Sequence, residues 1–111
     1  MIFVTGGAYQ GKKDFVLKYL GNHDIIDNYH MIIKNLISEN TDPIKYTENI
    51  ISENKDVVII MDEIGCGIVP IDREERFWRE ICGKCGCIIA ENADIVVRVI
   101  CGIGTAIKGK L

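Results

Sequence analysis

Residues 6 to 12 read Gly-Gly-Ala-Tyr-Gln-Gly-Lys and follow the apolar opening Ile2-Phe3-Val4. They match the phosphate-binding pattern G-x-x-x-x-G-K-[ST] at every position but the last, where Lys13 replaces Ser or Thr. The chemistry of that pattern is anion binding. Gly6, Gly7 and Gly11 permit the tight turns that aim backbone N–H groups inward through Ala8, Tyr9 and Gln10. Lys12 reaches the terminal phosphates, and the helix expected over Asp14 to Leu20 turns its positive end toward them. The missing hydroxyl is the usual Mg²⁺ ligand, so Lys13 argues against ordinary Mg-nucleotide handling and adds a second cation near the phosphate. The bland alternative is a Gly-rich strand-to-helix turn with no ligand; a near-complete match directly after an N-terminal strand favours the phosphate reading.

A phosphate loop needs an acid at a neighbouring strand end, to hold Mg²⁺ or position a nucleophile. Two are in place. Asp27 follows Ile25-Ile26, and Asp62-Glu63 follows Val57 to Met61. Either acid alone can be a strand re-entering solvent; beside the loop each becomes a site candidate. His23, in an expected turn, and His30, at a helix start, read as solvated or capping residues, because no partner motif accompanies them.

The elements that position these residues alternate. Strands are expected at Ile2–Thr5, Asp24–Asp27, Asp56–Glu63 and Ile95–Ile100, and helices at Asp14–Leu20, Tyr29–Glu39, Lys45–Asn54 and Arg73–Asn92. Thr41-Asp42-Pro43 reads as a break, Gly65 to Pro70 as a loop, and Gly102 with Gly104 as a turn. The uninterrupted run Val57 to Met61 predicts a central parallel strand covered on both faces. Alternation predicts a phosphate-loop NTPase-like α/β fold, three layers α/β/α, with four to five strands in a mainly parallel sheet and one domain over residues 1–111.

Length, charge and cysteine content narrow the class. The chain has 111 residues, 48% of them hydrophobic, and a net charge of −3 with no cluster of Lys or Arg, which speaks against nucleic-acid and anionic-membrane partners. No apolar run reaches the length of a membrane span, about 18 residues. Met1 leads into a strand with no charged leader, which predicts a cytoplasmic protein with reduced thiols. Cys82, Cys85 and Cys87 form C-x-x-C-x-C. A second ligand pair is absent, and Phe77, Ile81, Cys85 and Ile88 recur at helical spacing, which favours structural thiols over a metal site.

The chain resembles the adenosylcobinamide kinase / adenosylcobinamide-phosphate guanylyltransferase family of cobalamin biosynthesis. The opening strand with Gly6, Gly7, Gly11 and Lys12 is similar to the family's phosphate loop. Glu63-Ile64-Gly65-Cys66-Gly67-Ile68-Val69-Pro70 resembles its N-E-[VI]-G-x-G-[IV]-V-P segment, with Asp62 at the Asn position. Asp27 and the helix after it resemble D-C-L-T, and Arg76-Phe77, Gly83, Ala90, Ala93-Asp94 and Gly102 follow the family's last helix and strand. Family members are longer, and the segment carrying their guanylylated histidine has no counterpart here. The resemblance implies a kinase half without guanylyl transfer. Lys12 would act on the phosphoryl charge, Asp27 would bind metal or act with Glu63 at the acceptor side, and residues 6 to 13 would cradle the nucleotide. It implies ATP or GTP with Mg²⁺ as cofactors, a cobinamide-type corrinoid as partner, and a homo-oligomer. A nucleotide-binding regulatory module that has lost chemistry is the alternative, favoured by Lys13.

Overall fold

The computed structural model describes residues 1–65 and 71–111. In chain order the elements are β1 (Ile2–Gly6), α1 (Lys12–Leu20), β2 (Ile25–Ile26), α2 (Tyr29–Ser38), α3 (Pro43–Glu53), β3 (Val58–Asp62), α4 (Arg73–Asn92), β4 (Ile95–Ile100) and β5 (Ile103–Lys108). They form one sheet in the order β2-β3-β1-β4-β5. β1 lies parallel to β3 and β4, β2 parallel to β3, and only β5 runs antiparallel, beside β4.

Strand side chains alternate between the faces, so each apolar strand feeds two cores. Ile2, Val4, Val58, Ile60, Val97 and Val99 face α1 and pack on its Phe15 and Val16. Phe3, Ile59, Met61 and Val96 face the other way, onto Tyr29 and Ile33 of α2 and Ile81, Cys82, Cys85 and Ile89 of α4, with Ile44, Ile50 and Ile51 of α3 at the border. The result is a three-layer α/β/α fold with a mainly parallel five-stranded sheet, as expected. Each fully buried Val or Ile contributes about 1.5–3 kcal/mol of transfer free energy. Among the described residues no helix is long and apolar enough to cross a membrane.

Three expectations are corrected. α3 begins at Pro43, not Lys45: proline is tolerated in the first turn, and the Asp42 side chain caps the helix by accepting from the N–H groups of Ile44 and Lys45. On α4 the buried stripe is Ile81, Cys82, Cys85 and Ile89 with Trp78 beside it, while Phe77 is 48% exposed and Ile88 half-buried. The segment after Gly102 is a strand rather than a turn alone. Gly104 lets β5 cross Phe15, since a Cβ there would lie 2.3 Å from the ring. Ile68, Val69 and the rest of 66–70, read above as loop, lie outside the described residues.

A buried polar pair joins α2 to α3. The Thr47 hydroxyl donates to the Pro43 carbonyl at 2.7 Å, which leaves its oxygen to accept from Tyr29 Oη, also at 2.7 Å. Burial pushes the Tyr29 hydroxyl up to about 12, so it stays a donor. Tyr29→Phe should therefore cost only about 1 kcal/mol, because every remaining group keeps a partner. Thr47→Val should cost more, about 2–3 kcal/mol, because it strands a buried phenol, while the Pro43 carbonyl keeps its helical bond. Urea denaturation of both variants checks that order.

Candidate functional site

β1 ends against the end of β3, with Gly6 opposite Asp62. The loop then turns through Tyr9 (φ 60°) and Gly11 (φ 84°) into α1, and the left-handed backbone at Gly11 is one that glycine adopts without strain. Lys12 is the first residue of α1, and helical side chains lean toward the N-terminus. Its stem therefore folds back over the loop, leaving the residue 7% exposed. Nζ donates to the Gly7 carbonyl at 2.6 Å and pairs with Asp62 Oδ1 at 2.7 Å. The β4–β5 hairpin holds the loop from the other side: Gln10 Oε1 accepts from the N–H of Cys101, and the Gln10 carbonyl from the N–H of Gly102, both at 2.8 Å.

Residues 8–14, Asp27 and Asp62 line a cavity of about 360 Å³ at the carboxyl edge of the sheet. The structure thus brings together Ala8, Tyr9, Gln10, Gly11, Lys12, Lys13 and Asp27 of the expected site. Gly7 contributes its carbonyl, and Gly6 sits beneath as the last residue of β1. Lys13 Nζ lies 3.4 Å from Asp27 Oδ2 and is 63% exposed. Glu63 does not line this cavity. Its carboxylate accepts from two N–H groups of the Arg98 guanidinium, at 2.9 and 3.1 Å, and its N–H donates to the Gly6 carbonyl. The cavity carboxylate at the β3 end is Asp62, which sequence reasoning had set behind Glu63.

His30 is the second correction at the site. It is neither solvated nor a cap: it is 7% exposed, with its ring against Asp62. Nδ1 accepts from the Asp62 N–H at 3.1 Å, so the ring proton sits on Nε2, 3.5 Å from Asp62 Oδ2. The Trp78 indole fixes the same turn by donating to the His30 carbonyl at 2.8 Å. The signal lay in helical spacing: His30, Ile33 and Ile37 share the apolar face of α2. His23 lies in the expected turn, half-buried, with Nδ1 3.1 Å from the Asp56 carbonyl. Cys82 and Cys85 are core thiols, with Cys82 pushed up to about 12 by burial, whereas Cys87 is exposed.

The residues present do not fit a divalent cation well. The position that supplies a hydroxyl ligand carries Lys13. Asp27, the expected metal ligand, has an ammonium at ion-pair distance, and so has Asp62, the other strand-end carboxylate.

Burial holds the His30 pKa below its ordinary 6.5; Lys12 reinforces this, while Asp62 and Asp27 oppose it. A depressed pKa means that the unfolded chain takes up the proton first. The neutral ring therefore contributes stability above pH 6.5 that is lost as pH falls through the lowered folded value, by at most about 1.4 kcal/mol per pH unit. His30→Asn keeps an acceptor near Nδ1 without a titrating proton. Urea midpoints measured from pH 7.5 to 5 should fall more steeply for wild type than for His30→Asn; equal slopes would contradict this.

Residues 23–107 match the family model described as cobinamide kinase / cobinamide phosphate guanyltransferase. A bifunctional adenosylcobalamin biosynthesis protein, CobU, of Salmonella typhimurium is 44% identical over 52 residues, which are 47% of this chain and 29% of the relative. Its Escherichia coli counterpart is 42% identical over 52 residues, with the same shares. The match spans less than a third of the length of either relative. The matched region includes Asp27, His30, Asp62 and the Cys101–Gly102 tip, the groups that clasp the loop, and on that match the chain belongs to the cobinamide kinase / cobinamide phosphate guanyltransferase family.

Proposed function

We propose that the chain cradles the phosphates of ATP or GTP in the cavity beside Lys12 and transfers the terminal phosphoryl group to a hydroxyl of a cobinamide-type corrinoid. The observation that carries this reading is Lys12: a buried ammonium at the start of a helix, aimed along a glycine-rich loop into a cavity of phosphate-binding dimensions. In the transfer the bond from the terminal phosphorus to its bridging oxygen breaks and a bond to the acceptor oxygen forms. The acceptor proton passes to a carboxylate, and a nucleoside diphosphate leaves. Lys12 and the helix N-terminus stabilise charge on the transferring group. Asp27 faces the cavity from the β2 side and is the acceptor-side carboxylate, since its pairing with the exposed Lys13 at 3.4 Å is looser than that of Asp62 with buried Lys12 at 2.7 Å. Glu63 is a positioning residue that fixes the chain beyond β3 through Arg98.

Guanylyl transfer has no candidate nucleophile among this chain's two histidines. Both ring nitrogens of His30 face Asp62, and His23 sits in the turn before β2, beyond the cavity lining. A regulatory or interaction module that binds nucleotide without turnover is the second reading, favoured by the Lys13–Asp27 pair at the metal position. Ile103 and Ile107 on the exposed edge strand support the expected self-association.

Isothermal titration with ATP and with GTP should show binding that weakens about 10- to 100-fold in Lys12→Ala, the loss of one charge-assisted contact of about 1.5–3 kcal/mol. Unchanged affinity would contradict the cradle. Mass spectrometry of cobinamide incubated with either nucleotide then separates the two readings: a phosphorylated product marks a kinase, and binding without product marks the module.

A further inference from the structure

Lys12 and Lys13 are neighbours on α1, and successive residues on a helix diverge by about 100°. Lys12 turns to β3 and Asp62, and Lys13 turns to the β2 side and Asp27, so the two ammonium groups flank the same cavity. Each ammonium has three N–H donors. Lys12 directs two of them to Gly7 and Asp62. Lys13 has one carboxylate contact at 3.4 Å, is mostly exposed and lines the cavity, so its ammonium has donors to spare for a ligand there.

A magnesium ion at a phosphate loop bridges a protein oxygen and phosphate oxygens. We propose that Lys13 takes that bridging place: its ammonium links Asp27 to the phosphate oxygens, and this chain binds nucleoside triphosphates without a divalent cation. The inference rests on the phosphate cradle proposed above and adds to it the identity of the counter-ion. Two features of the site support it. The side chain that would ligate the metal is itself the cation, and Asp27, the carboxylate best placed to hold a metal, already pairs with it. A divalent ion entering between them would meet that ammonium at close range.

The test is the dissociation constant of ATP measured in EDTA and in excess Mg²⁺, for wild type, Lys13→Ser and Lys13→Arg. Lys13 is surface-exposed, and Lys13→Arg keeps its charge, so folding and charge effects separate. Wild type and Lys13→Arg should differ by less than about threefold between the two conditions, and Lys13→Ser should bind at least about tenfold more tightly with Mg²⁺. Wild-type binding that weakens more than about tenfold in EDTA would overturn the inference while leaving the cradle standing. A Lys13→Ser variant as indifferent to Mg²⁺ as wild type would overturn the role of Lys13. No binding in either condition would overturn cradle and inference together.

Discussion

A buried ammonium must be given acceptors, and the two that Lys12 finds hold this structure together around its loop. Isolated in the interior, such a charge costs several kcal/mol of lost hydration. Gly7 and Asp62 compensate it at 2.6 and 2.7 Å. That requirement ties α1 to the end of β3, and His30 extends it to α2 by gripping Asp62 at both its N–H and its carboxylate. Three elements and the loop thus meet at the Lys12–Asp62 pair. The same two contacts hold the Lys12 ammonium between the loop and the end of β3.

The sheet serves the same point. β1 and β3 deliver the loop and Asp62 in register, β2 brings Asp27, and the β4–β5 hairpin reaches back to hold Gln10. The antiparallel edge strand has few core side chains of its own, and Ile103 and Ile107 are exposed. Its contribution is the hairpin tip at Cys101 and Gly102, which fixes the loop from the side opposite Lys12. The family match begins at residue 23, after the loop, so its reach to the loop runs through these contacts and through Asp62.

Most of the architecture was legible because apolar runs have a period. Val57 to Met61 announced a central strand, and the loop after Ile2 to Thr5 announced a helix. What was harder to read depended on partners distant in sequence. β5, Ile-Gly-Thr-Ala-Ile-Lys, is half exposed and contains glycine, so nothing local marks it as a strand; pairing with β4 creates it. His30 carried no motif, and its role appears only when α2 is laid beside β3. Asp62 and Glu63 are adjacent in sequence but face opposite ways, and a strand's alternation does not say which face will meet the loop. On α4 the expected stripe holds at Ile81 and Cys85, and only its ends move by one residue, with Trp78 and Ile89 packing in place of Phe77 and Ile88.

The central claim is that Lys12 and its loop receive the phosphates of a nucleotide. A crystal structure of the chain with a non-hydrolysable triphosphate analogue tests it most directly. The account predicts phosphate oxygens within hydrogen-bond distance, about 3 Å, of Lys12 Nζ and of the loop between β1 and α1. Phosphates seated elsewhere, with Lys12 still held on Gly7 and Asp62, would contradict it.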